Sequence, residues 1–229
     1  MLPRAITFDC AGTLLKVDWV PGRFAVECAN EAGLDLDESS EAAYAQLLRR
    51  RWSGYEDLNT TRDHAALDAF WRTLTIDWLA ELGKPAKADE ILLIARDRLL
   101  DKFEVYDDVL PALEQLADLK IRVAIISNWD YSLHRILQAK GLTDRFEFAL
   151  ASLEEGIEKP HPGIFESALT RLGLTPTDVL HIGDDPIDDY NGPREFGMRA
   201  LLIDRSLSES ASPRLARLTD IPAVLRPHG

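Results

Sequence analysis

Ala5-Ile6-Thr7-Phe8 is a hydrophobic run that reaches a carboxylate, Asp9, and then turns through Cys10-Ala11-Gly12-Thr13. Far along the chain, Val179-Leu180-His181-Ile182 reaches Gly183-Asp184-Asp185, with Asp188 and Asp189 close behind. Acids at the carboxyl ends of two buried strands lie where open α/β sheets gather their ligands. Together they suit one nucleophile beside a divalent cation. Two more groups could handle an anion. Ser127 closes the apolar run Arg122-Val123-Ala124-Ile125-Ile126, and Lys159 stands before Pro160-His161-Pro162. A strand-end hydroxyl can bond an anion oxygen, and backbone N–H groups near Asn128 and Trp129 could add a cradle. Position 11 is Ala, so no proton can be passed there.

The elements that must position these groups fall into two kinds. Residues 4–9 read as a short buried strand. From about 16 to 103 the apolar residues recur at helical spacing, as in Leu67, Phe70, Leu74, Trp78 and Leu82. Gly33, Gly54 and Gly83 with Pro85 divide that stretch into about four helices. From 104 onward strands and helices alternate: helices over 107–119, 131–140, 162–172 and 188–196, strands over 122–127, 146–150, 179–182 and 199–203. Continuous apolar strands between helices predict a parallel sheet covered on both faces. The expected organisation is a Rossmann-like α/β core from residues 1–16 and 104–229, with an all-helical segment, 17–103, inserted after the first strand. The stretch from Ser206 to Pro213 reads as a loop.

Composition sets limits. The 229 residues are 46% hydrophobic, enough for a sizeable core. A net charge of −13 and a pI near 4.8 disfavour nucleic acid and anionic membranes as partners. Cys10 and Cys28 lack metal-ligand spacing. With no signal segment and no apolar run long enough to span a bilayer, cytoplasmic residence is expected. His181 reads as a core histidine, and Arg49-Arg50-Arg51 as a solvated helix face. Trp52, Trp71 and Trp78 suit a helical core or an interface, and the chain is expected to be a monomer or homodimer.

Four stretches, in order, resemble the motifs of the haloacid dehalogenase-like hydrolase superfamily: Asp9-Cys10-Ala11-Gly12-Thr13, Ile126-Ser127-Asn128, Glu158-Lys159-Pro160, and Gly183-Asp184-Asp185 followed by Asp188-Asp189. The helical insert is similar to the small cap of the family's helical-cap (C1) subfamily. The resemblance covers essentially the whole chain. It implies that Asp9 attacks phosphorus to form an aspartyl phosphate, with Ser127, Asn128, Lys159 and Thr13 serving the phosphate. Mg2+ would be held by Asp9, the backbone carbonyl of Ala11, Asp184 and Asp185. Asp189, with Asp188 as the alternative, would stand one step back from the metal. A small phosphorylated metabolite is the implied substrate.

Ala11 departs from that pattern, because family phosphatases place a second Asp there as general acid and base. Three readings follow. One is a Mg2+-dependent phosphatase that is slow on ordinary alcohol esters or takes its acid from elsewhere, Asp18 being a candidate. Another is phosphonatase-like or 2-haloacid dehalogenase chemistry. The phosphonatase form needs a Schiff-base lysine, yet no Lys occurs between Val17 and Gly83, and the dehalogenase form leaves Asp184 and Asp185 unexplained. The third is a catalytically silent, phosphate-binding regulatory protein.

Overall fold

The computed structural model describes residues 2–58 and 60–225; residues 1, 59 and 226–229 of the expected segments lie outside the described residues. The chain divides into two compact units, Met1–Lys16 with Glu104–Gly229, and Val17–Phe103. It opens on β1 (Ala5–Phe8) and turns into β2 (Leu15–Val17). Four helices follow: α1 (Pro21–Glu31), α2 (Glu38–Leu58), α3 (His64–Glu81) and α4 (Ala88–Arg98). β3 (Phe103–Val105) then pairs with β2. The rest alternates: α5 (Val109–Asp118), β4 (Arg122–Ser127), α6 (Ser132–Ala139), β5 (Ala149–Ala151), α7 (Ser152–Glu155), α8 (Pro162–Leu172), β6 (Val179–Gly183), α9 (Gly192–Glu195), β7 (Arg199–Ile203), β8 (Arg214–Leu215) and α10 (Ile221–Leu225).

Six of these strands form one sheet in the order β5-β4-β1-β6-β7-β8, and every neighbouring pair is parallel. The fold is the Rossmann-like parallel sheet with an inserted helical segment. β1 is buried at all four positions and lies centrally, with Phe8 opposite both Ile125 and Ile182. This register decides the chemistry. It brings the carboxyl ends of β1, β4 and β6 to one edge, so Asp9, Ser127 and Asp184 emerge side by side. α8 covers one flank of the sheet with Ile164, Phe165, Ala168, Leu169 and Leu172, at the spacing of one helix face, against Ile126, Leu150 and Val179.

The helical unit has its own core, in which Phe24, Cys28, Tyr44, Leu48 and Leu74 surround Trp78. Trp78 is fully buried, and its indole N–H donates to the Ser40 carbonyl at 3.0 Å. Among the described residues, no helix is long and apolar enough to cross a membrane.

Three expectations need correction, and two short elements were not anticipated. Gly54 does not end a helix; α2 runs through it to Leu58. One helical glycine costs only about 1 kcal/mol, less than the packing of Tyr44, Leu47 and Leu48 returns. The break falls later, where Asp63 caps α3 by accepting the Ala66 N–H at 2.9 Å. β5 starts three residues later than expected. The helix expected over 188–196 is instead a π-helical turn, Pro186–Asn191, followed by α9, because Pro193 lacks the N–H that would continue an earlier helix. Finally, β8 and α10 follow the Ser206–Pro213 loop; neither is long enough to show a hydrophobic period.

Candidate active site

Asp9 leaves the end of β1 almost buried, at 7% exposure. Its Oδ1 accepts two bonds, from the Ser127 hydroxyl at 3.0 Å and from Lys159 Nζ at 2.6 Å. Both donors therefore hold one carboxylate oxygen, and Oδ2 receives neither. Lys159, itself 3% exposed, also donates to Asp189 Oδ1 at 2.6 Å. His181 Nε2 reaches the same oxygen at 3.1 Å, and Nδ1 lies 2.8 Å from the Thr7 hydroxyl. Since Asp189 is the acceptor, Nε2 carries the proton and Nδ1 accepts from Thr7. His181 is a core histidine, as its apolar strand suggested, and it also links the sheet interior to the site.

Asp184 approaches from the end of β6. One oxygen each from Asp9, Asp184 and Asp189 lies within 4.8 Å of the others. Two glycines allow this crowding. A Cβ on Gly12 would sit 2.4 Å from Asp184 Oδ2, and Gly12 has φ +74°, which only glycine adopts readily. A Cβ on Gly183 would sit 2.2 Å from the Asp189 carboxylate.

Asp185 is not in this cluster, contrary to its assignment as a metal ligand. Its Oδ1 turns to cap the next turn, accepting the Ile187 and Asp188 N–H groups at 2.7 and 2.8 Å. Asp189 takes its place beside Asp9 and Asp184. Asp189 is already committed, however: Oδ1 to Lys159 and His181, Oδ2 to the Asp185 N–H at 3.0 Å.

Burial and the carboxylates of Asp189 and Asp184 push Asp9 up to about 6, against the pull of Lys159. Burial opposes the ammonium of Lys159, but Asp9 and Asp189 outweigh it and hold the group above the usual lysine range. Burial would also raise Asp189, yet Lys159 and His181 keep it well below the usual carboxylate range. Burial lowers His181, so it stays neutral. The cluster thus carries three carboxylates against one ammonium.

The family model described as haloacid dehalogenase-like hydrolase matches residues 3–197. The chain belongs to this family. It is similar to the phosphatase MT3486 of Mycobacterium tuberculosis (strain CDC 1551 / Oshkosh), with 33% identity over 210 residues, covering 88% of each chain. It is also similar to a crystal structure of the 2-haloacid dehalogenase from Pseudomonas syringae pv. Tomato DC3000. There the identity is 27% and the TM-score 0.65, over 98% of both chains. The fold is shared with the orthorhombic crystal form of the HAD-hydrolase YfnB from Bacillus subtilis bound to magnesium. That match has a TM-score of 0.69 and 19% identity, over 99% of this chain and 100% of that one.

Other residues named from the sequence of this haloacid dehalogenase-like chain are placed by their hydrogen bonds and ion pairs. Thr13, expected to serve the phosphate, donates to Asp184 Oδ1 at 3.2 Å. The Asn128 side chain clamps the lysine loop, accepting from the Lys159 N–H at 2.7 Å and donating to its carbonyl at 2.9 Å. Asn128 also donates to Asp188, and the Trp129 N–H is taken by Ser152 Oγ at 3.1 Å. Arg50 and Arg51 pair with Glu81 and Asp77, and Asp18 pairs with Arg23 in the helical unit. Arg49 and Trp52 line an 840 Å3 groove in that unit, which none of the site acids lines. The sequence reading missed Arg205, which grips the Thr13 carbonyl. Its signal was its place just past the carboxyl end of a strand, β7.

Proposed function

We propose that this chain is a Mg2+-dependent hydrolase of small phosphorylated molecules that uses Asp9 as its nucleophile. The observation that carries the reading is the convergence of Asp9, Asp184 and Asp189 on one point, with Lys159 bonded to two of them. In this reading residues 17–103 are the cap, and residues 1–16 with 104–229 are the hydrolase core.

The donor set fits a hard cation, which prefers a few carboxylate and carbonyl oxygens. Asp9 Oδ2 and Asp184 are suited to it, and so is the Ala11 carbonyl. The bridge between Ala11 and Leu15 runs through Gly12 N–H to Leu15 O and Leu15 N–H to Cys10 O, leaving the Ala11 carbonyl out. Asp189 would orient Lys159 instead. Once bound, Mg2+ would offset the repulsion between the carboxylate and an anionic phosphate.

Ser127 and Lys159, both bonded to Oδ1, fix the orientation of the Asp9 carboxylate that attacks phosphorus. Attack forms the Asp9–phosphorus bond and breaks the phosphorus–oxygen ester bond, whose electron pair leaves with the alcohol oxygen. That oxygen takes its proton from water, since Ala11 has none to give. A second water attacks phosphorus, and inorganic phosphate leaves as Asp9 is restored. Losing a positioned acid–base group commonly removes about 10²–10⁴ in rate, so slow turnover of alkyl esters is part of the reading.

Carbon–halogen hydrolysis is the second reading. Ala11 favours it, because a halide leaves without a proton, and so does the similarity to the 2-haloacid dehalogenase. The surplus of carboxylates at the site opposes it. One experiment separates the two: p-nitrophenyl phosphate hydrolysis with Mg2+ or chelator, and chloride release from 2-chloropropionate, by wild type and Asp9→Asn. Mg2+-dependent phosphate release lost in Asp9→Asn supports the proposal. Chloride release indifferent to chelator replaces it, and binding of Mg2+ and phosphate without turnover across a broad phosphate panel points to a silent regulatory protein.

A further inference from the structure

Arg205 is held on three sides. Its Nη1 donates to Asp108 Oδ2 at 2.6 Å, its Nη2 donates to the Thr13 carbonyl at 2.5 Å, and its guanidinium lies 4.0 Å from the centre of the Tyr106 ring. Asp108 is 3% exposed, and its Oδ2 also accepts the Leu218 N–H at 2.7 Å. It stands before α5, yet its side chain does not cap that helix. Asp108 Oδ1 and Arg205 Nε are both buried without a hydrogen-bond partner. An ion pair left incompletely satisfied in the interior is a costly device, and salt bridging at a surface does not account for it.

What Arg205 grips gives the pair its role. Thr13 is fully buried, and its hydroxyl donates to Asp184. The next carbonyl, that of Leu14, accepts the Tyr106 N–H at 3.1 Å. The carbonyl side of the turn after Asp9 is therefore tied to Tyr106 and Arg205, while the Thr13 hydroxyl bonds Asp184. Turning Thr13 would move both its hold on Asp184 and the Ala11–Gly12 backbone two residues before it.

We propose that Arg205, held by Asp108 and Tyr106, is a positioning residue that sets the affinity of the acid cluster for a divalent cation by fixing the Thr13 turn. The inference rests on the Mg2+ reading above. Partners that orient metal ligands commonly account for about 10–100-fold in metal affinity.

The test is Mg2+ binding to the full chain by calorimetry, for wild type, Arg205→Met and Arg122→Met. Arg122 is a control in the same unit: it bonds both oxygens of Glu147 and the Leu172 carbonyl, at the opposite ends of the strands. We expect Arg205→Met to weaken Mg2+ binding about 10-fold or more and Arg122→Met to leave it unchanged. Should Arg205→Met fail to fold, Arg205→Lys, which keeps the charge but loses the planar guanidinium fork, carries the same expectation with a smaller loss. Unchanged affinity in the Arg205 variant, or equal weakening in the Arg122 control, overturns the inference alone. Failure of wild type to bind Mg2+, or retention of binding by Asp184→Asn, overturns the Mg2+ reading with it.

Discussion

Replacing Lys159 with Met should leave two adjacent buried carboxylates without their shared counter-charge. Lys159 donates at 2.6 Å to both Asp9 and Asp189, and all three side chains are at most 10% exposed. Removing one partner of a buried pair costs about 3–5 kcal/mol. Each kcal/mol moves the melting temperature by about 2–4 °C in a chain of this size, so a fall of about 6–20 °C is expected in chelator. The loss should depend on pH. With Lys159 gone, the folded pKa of Asp9 rises further above the ordinary value of 3.8. A carboxylate with a raised folded pKa loses stability as pH rises toward that pKa, so the deficit should be smaller at about pH 5 than at about pH 8. Mg2+ should restore part of it by supplying positive charge. Thermal unfolding followed by circular dichroism at both pH values, with and without Mg2+, measures this. Lys16→Met is the control: its partner Glu104 is 70% exposed, and such pairs contribute about 0–1 kcal/mol. A Lys159→Met protein as stable as the control, or one whose deficit ignores pH and Mg2+, would refute the reasoning.

Ala11→Asp should raise kcat on an alkyl phosphate by up to about 10²–10⁴, and by less on p-nitrophenyl phosphate, whose leaving group needs little protonation; steady-state rates on both esters decide it. His181 is buried and neutral, with its pKa below the ordinary 6.5. The unfolded chain binds the proton more readily, so unfolding free energy should fall as pH drops below about 6.5. His181→Gln should flatten that slope in denaturant titrations across the range. Gly183→Ala would drive a methyl group into the Asp189 carboxylate. It should weaken Mg2+-dependent hydrolysis, and a fully active variant would show that Asp189 has room to move.

Much of the site was legible because each strand ends where an apolar run meets a polar residue. Phe8-Asp9, Ile126-Ser127 and Ile182-Gly183-Asp184 needed only parallel pairing to be placed at one edge. Pro162–Leu172 was legible from its helical spacing. The choice between Asp185 and Asp189 was not, because it depends on a π-helical turn whose cap consumes Asp185. Spacing alone does not reveal such a turn. Asn128 sits where a phosphate ligand was expected, but its amide matches the two backbone groups of Lys159, a pairing across 31 residues. Arg205 had a signal in its place past β7, but its role was not legible, because its partners lie 97 and 192 residues away. Gly54 misled because an exposed glycine in a packed helix costs less than the packing around it.

The central claim is that Asp9 takes up a phosphoryl group at a site completed by Mg2+. Acid-quenching the enzyme during p-nitrophenyl phosphate turnover and mapping its peptides by mass spectrometry tests this directly. A phosphoryl adduct on Asp9, present with Mg2+ and absent with chelator or in Asp9→Asn, is the predicted result. Sustained phosphate release by Asp9→Asn at the wild-type rate, with no adduct on the wild-type peptide, would contradict it.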